Sequence, residues 1–312
     1  MRPTFMAIAA AITVAIAVAE GRAAASCSRT DLATLPEHVP MKDLGEALRD
    51  RVESCASAAR RPDGEAFLAA HRLPVTEERL RDYTRVRTLF EMTRDGGPWR
   101  VRWAITNQDA TAKNVWASWS RTPPPVAGGA SATAECDEIS ALFAGLVRRT
   151  GTRGVGLFWP TWNHTIAAWD IAPGVRVLIP TTQIFLECDD SFDHAPAFSP
   201  TKQRTVYEFP ASDVPDRTPV PRAVAAFLLD QVTDYAPASL DTLAVLRAHR
   251  ALGYGSSLSA GCREGVARRA RDLAARALLA ADRAALARYA EELGLRPATA
   301  EAALARLTSV PR

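Results

Sequence analysis

The chain reads as an α+β protein: a helix packed on an antiparallel sheet, set between an N-terminal and a C-terminal helical region. Three observations predict this. Ile139, Leu142, Phe143, Leu146 and Val147 recur at the i, i+3, i+4, i+7, i+8 spacing of a buried helical face. After Gly151 come three runs, over residues 155–159, 163–171 and 175–179, whose alternation, bulk and β-branching suit strands. Pro160, the Pro173-Gly174 pair and Pro180 punctuate them. Helical periodicity then returns on either side, over residues 43–59, 63–71 and 76–94 in front and 262–279, 282–293 and 299–307 behind.

Four segments follow from this order. Residues 1–25 carry the short apolar run FMAIAAAITVAIAVA after Arg2 and before Ala23, Ala24 and Ala25, the pattern of a secretory signal peptide too short for an ordinary membrane span. A lipoprotein reading, with Cys27 acylated, is weaker because Ala24 stands where a leucine is usual. Residues 26–95 form the N-terminal helical region, 96–215 the core with its strands, the loop beginning Pro123-Pro124-Pro125 and all seven tryptophans, and 216–312 the C-terminal helical region. A chain of 312 residues with 47% hydrophobic content can bury a large core. The formal charge of +3, or +2 once Arg2, Arg22 and Glu20 leave with the signal segment, gives no argument for nucleic acid.

The residue that points to chemistry is Cys136. Thr133 is a plausible helix cap, which sets Cys136 at the third helical position, one turn before Ile139. Backbone N–H groups there lack intrahelical partners, and with the positive end of the helix dipole they favour thiolate over thiol. His164 opens the middle strand and shares a face with Ile166 and Ala168. Cysteine is also among the most often buried residue types, so a core role stands beside the nucleophilic one.

The stretch AECDEISALFAGLVRRTGTRGVGLF, followed by NHTIAAWDI and VRVLIPTT, resembles the core of the transglutaminase-like superfamily, whose cysteine and histidine are arranged as in papain. The resemblance implies a papain/transglutaminase-like core in which Cys136 heads the helix and His164 opens a strand. It also implies an aspartate on the next strand, usually in an Asp-Pro-Thr segment; Ile179-Pro180-Thr181 stands there instead. In such a triad the thiolate attacks an acyl carbon, the histidine shuttles the proton, and the third residue orients the imidazole. A hairpin turning at Pro173-Gly174 would bring the neighbourhood of Gln183 opposite His164, so Gln183 is the candidate for orienting it, or else a polar strand-end residue facing solvent. The implied function is a secreted cysteine enzyme acting on a peptide or protein substrate, by hydrolysis or by transfer to an amine. The alternative is an inactive module of the same fold that binds peptide, cell-wall or protein partners.

The signal-peptide pattern places the chain in an oxidising compartment, secreted or periplasmic, and there the cysteine count supports Cys136 as nucleophile. Of five cysteines, four can pair, Cys27 with Cys55 and Cys188 with Cys262, which leaves Cys136 as the free thiol. Trp116, Trp119 and Trp162 fall near loop ends or beside His164 and are candidate cleft walls. Asn107, Gln108 and Asn114 are candidate oxyanion donors upstream of the cysteine. No cofactor and no metal is expected. There is no P-loop, dinucleotide fingerprint or H-E-x-x-H, Asp189, Asp190, Asp193 and His194 lack calcium-loop spacing, and the S-x-x-K at Ser199 to Lys202 has no companion motif.

Overall fold

After a 3-10 turn at Leu32–Thr34 the chain forms strand β1 (His38–Pro40) and passes straight into helix α1 (Met41–Ala70). The computed structural model describes residues 27–106, 111–122, 124, 129–161, 164–182, 192, 214–253 and 280–292. The signal peptide expected over residues 1–25 and the helices expected over 262–279 and 299–307 lie outside them.

Helix α1 corrects the expectation of two helices broken near Pro62. It runs through the proline, although a proline inside a helix removes one hydrogen bond and costs ~3 kcal/mol. Met41, Leu44, Leu48, Val52, Ala56 and Leu68 form a buried stripe along both halves. Arg60, fully buried two residues before the proline, donates from Nη2 to the Ala238 carbonyl at 2.8 Å. Tertiary burial on both sides of residue 62 outweighs the local penalty.

Helix α2 (Glu77–Thr93) agrees with the sequence at both ends. Thr76 caps it, its hydroxyl accepting from the Arg79 N–H at 3.3 Å, and Arg94 is the last residue bonded back into it. The core elements follow as strand β2 (Val101–Trp103), helix α3 (Lys113–Arg121), strand β3 (Ala132–Ala134), helix α4 (Cys136–Arg149), and strands β4 (Val155–Thr161), β5 (His164–Ala172) and β6 (Val175–Ile179). Strands β4, β5 and β6 make an antiparallel meander, while β2 and β3 pair in parallel. Gly151, at φ +95°, stops α4 where the sequence places the stop. Helix α3 was not expected; Val115, Trp116 and Trp119 give it its buried side.

Strand β7 (Pro219–Pro221) then pairs antiparallel with β1, and helices α5 (Arg222–Tyr235), α6 (Leu240–Gly253) and α7 (Ala280–Glu292) follow. The last matches the sequence expectation over 282–293 to within a few residues. One hydrophobic cluster runs from Val39 to Ala290 and takes in residues from all three mature regions. The helical ends are therefore part of the same core as the sheet, and the protein is α+β. Cys27 and Cys55 form the expected disulfide, with 5.2 Å between their Cα atoms, and tie the N-terminal segment to α1. Cys188 and Cys262 lie outside the described residues.

At the centre of the helical packing is a single carboxylate. Glu91 of α2, 2% exposed, accepts from Arg87 Nη2 at 2.8 Å and Arg247 Nη1 at 3.0 Å, with Arg94 Nη1 at 3.5 Å. Burial works against its charge, but the guanidinium groups of Arg87, Arg94, Arg247 and Arg60 overcome that and hold it at about 2. A depressed carboxyl pKa contributes stability that is fully present above the unfolded value of ~4.3 and lost as pH falls through the folded one. Urea denaturation is thus expected to show stability declining between pH ~4.3 and 2. Glu91→Gln should remove much of that decline and lower stability at pH 7 by about 3–5 kcal/mol, since it leaves buried cations uncompensated. A variant as stable as the parent at pH 7 overturns this account.

Candidate functional site

Cys136 stands at the first position of α4 with Glu135 as cap, not at the third position with Thr133 as cap. Thr133 is committed elsewhere: it pairs with Arg102 in the β2–β3 ladder, so the backbone stays extended to Ala134. The Glu138 carboxylate then reaches back to accept the Glu135 N–H at 2.7 Å and closes the helix start. The thiol is half-buried and is the free cysteine among the described residues.

Helix α4 lies on β5, and in the turn from Cys136 to Ser140 hydroxyl and backbone groups join the contact. The backbone groups of Thr165, Asp137 and Cys136 itself lie close enough to the sulfur to favour its thiolate. The thiol therefore meets β5 at the peptide unit that joins His164 to Thr165. Ser140, one turn along α4 and fully buried, donates to the Cys136 carbonyl at 2.6 Å and lies 2.6 Å from Thr181 Oγ1 and 3.4 Å from the Thr165 carbonyl. One serine thus clasps the cysteine turn, the strand that His164 opens and the end of the next strand. It escaped the sequence reading, although its place four residues after Cys136 puts it on the same helical face.

The electrostatics differ from the expectation of a lowered thiol pKa. Burial pushes the Cys136 thiol up, and the Asp137 carboxylate adds to this; the three backbone N–H groups pull the other way without prevailing. Glu135, Asp137 and Glu138 all sit at this helix start. Asp137 is itself pushed up by burial, with the Glu135 and Glu138 carboxylates adding to it. His164, 2% exposed, is held down at about 4 by burial. At neutral pH Cys136 carries a thiol and His164 a neutral imidazole.

Register decides what stands beside His164. Ala167 pairs with Ile179 and Ala168 with Leu178. Continued at that register, the ladder sets Thr182 across from His164. Thr182 is fully buried, and its hydroxyl makes no hydrogen bond among the described residues. Gln183 lies outside them, as do Trp162, Asn107 and Gln108. Ile179 is fully buried and faces the main core with Ala167, Trp169 and Val177.

Two expectations are corrected by burial. Trp119 is fully buried, edge-on to Trp99 and Trp116, and its indole N–H donates to Ser131 Oγ at 3.2 Å. Trp116 is 7% exposed, and its cavity lies against the far side of α4 from Cys136 and Ser140. Both are packing residues of α3, not walls of a cleft at the thiol; the aromatic spacing that signals a helical face is the reason. Asn114 donates to Glu138 Oε1 at 2.7 Å, so its amide is directed at a carboxylate. Thr106 donates to Glu135 Oε1 from its backbone N–H and at 3.2 Å from its hydroxyl. These two residues border a hollow of about 370 Å³ that also touches Thr133, three residues ahead of Cys136. Among the described residues no cluster of side chains suits a metal ion, and no helix is long and apolar enough to cross a membrane.

Alkylation of the folded protein by iodoacetamide, mapped by peptide mass spectrometry across pH, should give Cys136 a midpoint above the ~8.5 of a free thiol. A midpoint below pH ~7 would show that the helix N-terminus wins over burial. Compared with known protein families, characterised proteins and solved structures, the chain shows no match.

Proposed function

We propose that this protein is a cysteine enzyme of transglutaminase-like type that hydrolyses a peptide or amide bond, with Cys136 as nucleophile and His164 as acid and base. The observation that carries the reading is the free thiol on the first turn of α4, set against the peptide unit that follows a buried histidine. Its features are those of a nucleophile–base site: a thiol on a helix N-terminus, an imidazole on the adjoining strand, and backbone N–H groups at the sulfur.

The chemistry starts from the neutral pair. As the Cys136 sulfur bonds to the acyl carbon, its proton passes to the imidazole and the carbonyl π electrons move onto oxygen. The N–H groups of Cys136 and Asp137 stabilise that oxyanion. Collapse expels the amine, which takes the proton from the imidazolium and leaves a thioester. His164 then deprotonates water as it attacks, and the products are a carboxylic acid and the restored thiol. An amine in place of water gives cross-linking. Thr182 is the orienting residue the register supports, in the position for which Gln183 was the candidate. The carboxylates of Glu135, Asp137 and Glu138 favour substrates with a cationic group near the scissile bond. The Cys27–Cys55 disulfide, together with the apolar run at 5–19, supports a secreted or periplasmic location.

A second reading has its own observations. Ile179 stands where the family's aspartate is expected, and burial holds the thiol protonated, which suits a module that binds peptide or protein partners without turning them over.

Turnover of peptide and glutamine-amide libraries by the mature protein separates the two. Cys136→Ala is expected to lose activity by at least ~10³-fold while keeping the parent's melting temperature. With His164 held at about 4, the active base form persists through mildly acidic conditions, so kcat/KM should stay level from pH 7 to 5 and fall only near pH 4. Equal turnover in Cys136→Ala excludes the enzyme reading. Absence of turnover in the parent, with Cys136 unreactive until denaturation, leaves the binding module.

A further inference from the structure

A second cavity, about 350 Å³, lies against the side of α4 away from Cys136 and Ser140. That volume sits within the ~300–1,000 Å³ of small-molecule sites. Its floor is apolar: Met41 of α1, Trp116 of α3 and Leu142 and Leu146 of α4 all line it, each at most 7% exposed. The space exists because α4 presents small side chains there, Ala141 and Gly145. A Cβ added to Gly145 would meet nothing closer than Arg149 Nη1 at 3.5 Å.

The rim has the opposite character. Lys42, Arg49, Arg148 and Arg149 border the cavity against two carboxylates, Glu46 and Asp216. Arg149 is held in place rather than swinging in solvent. A Cβ on Gly45 would come within 2.8 Å of Arg149 Cβ, so α1 has a glycine where this side chain crosses it. Its Nη1 donates to the Gly145 carbonyl at 3.1 Å, its Nη2 donates to the Val214 carbonyl, and Asp216 lies 3.5 Å away. Lys42 and Arg49 are more exposed, with Lys42 at 3.9 Å from Glu46 and Arg49 at 3.1 Å from Asp50. A pocket with an apolar floor, a fixed guanidinium and an excess of cations at its mouth selects a ligand with an apolar body and one anionic end.

We infer that this cavity, walled by α1, α3 and α4, is a binding site for an amphipathic organic monocarboxylate, whose apolar body rests on Trp116, Leu142 and Leu146 and whose carboxylate meets the arginine and lysine rim. The site is separate from the thiol, and the inference does not depend on the proposed acyl-transfer activity.

Titration calorimetry of the mature protein with sodium decanoate tests it, beside 1-decanol, which has the chain without the charge, and sodium acetate, which has the charge without the chain. Decanoate is expected to bind one to one and to raise the melting temperature, at least ~10-fold more tightly than either control. Gly145→Leu, which fills the void with a good helix former, should abolish binding while the protein remains folded. The double variant Lys42→Gln/Arg49→Gln, confined to the exposed rim, should weaken decanoate several-fold without changing the melting temperature of the ligand-free protein. Undetectable decanoate binding, decanol binding as tight as decanoate, or full affinity in the rim variant each overturns the inference, and the rim variant decides the matter if Gly145→Leu does not fold.

Discussion

Glu91 accepts guanidinium groups from its own helix and from α6, and it lies in the field of a further arginine on α1. With α2 carrying the carboxylate, three helices from opposite ends of the chain are set relative to one buried charge. The balance is lopsided. Arg60 is fully buried, its Nε and Nη1 make no hydrogen bond among the described residues, and burial drives its pKa down. Arg94 is driven down to about 10 by burial, its guanidinium 4.1 Å from the centre of the Phe90 ring. Such a cluster tolerates only one protonation state of Glu91. Breaking it costs more than a surface pair because each partner is left desolvated.

The same helix connects this cluster to the thiol. Directly after Arg94, Asp95 donates its backbone N–H to the Thr181 carbonyl at 3.1 Å and accepts from the Trp103 N–H at 2.8 Å. Thr181 in turn meets Ser140, which holds the carbonyl of Cys136. The segment just past β6, the first turn of α4 and the end of strand β2 are thus bound to the C-terminus of α2. A chain of short polar contacts runs from the residue after the buried ion cluster to the Cys136 carbonyl, and its members are nearly all excluded from water. Position at the site is set by this scaffold; reactivity is set by a contest between dipole and burial. Backbone N–H groups at the helix start stabilise a thiolate, whereas desolvation and Asp137 disfavour it, and here the latter prevail. Burial likewise suppresses the imidazole, so under the proposed mechanism proton transfer would accompany bond formation instead of preceding it.

Local signals were legible and long-range ones were not. Thr76 and Arg94 bound α2 in sequence and in space because a hydroxyl cap and a broken apolar period are properties of a few neighbouring residues. The Cys27–Cys55 pair was legible from counting and from their flanking of a helix. Pro62 misled because its local cost is plain while the compensating burial of Arg60 and Leu68 depends on partners far along the chain. Thr133 misled for the opposite reason: a good capping residue was claimed first by a parallel strand pair with Arg102, which no local pattern announces. Trp116 and Trp119, read as loop-end aromatics, are the inner side of a short helix whose spacing was present in the sequence but brief.

Ile179, which stands where the transglutaminase-like resemblance leads one to expect an aspartate, takes on a different weight once the hairpin is seen in register. Residue 179 pairs with Ala167, an odd number of residues from His164, and so belongs to the face that β5 turns toward the main core. A carboxylate there would be buried beside Val177 and Trp169 among apolar side chains, at the desolvation cost of an unpaired charge. His164 begins the other face, the one that continues through Ile166 and Ala168 into a small cluster with Phe158 and Leu178. The ladder ends at Ile179; extended past Pro180 in the same register, it would set Thr182, a hydroxyl rather than a carboxylate, across from His164. A hydroxyl can accept from an imidazole N–H and so select a tautomer, but it brings no negative charge to stabilise an imidazolium. That is consistent with a histidine held neutral down to about pH 4. Residue 179 and His164 thus belong to opposite faces of the hairpin, and the low basicity of His164 comes from its own burial, whichever side chain stands at 179.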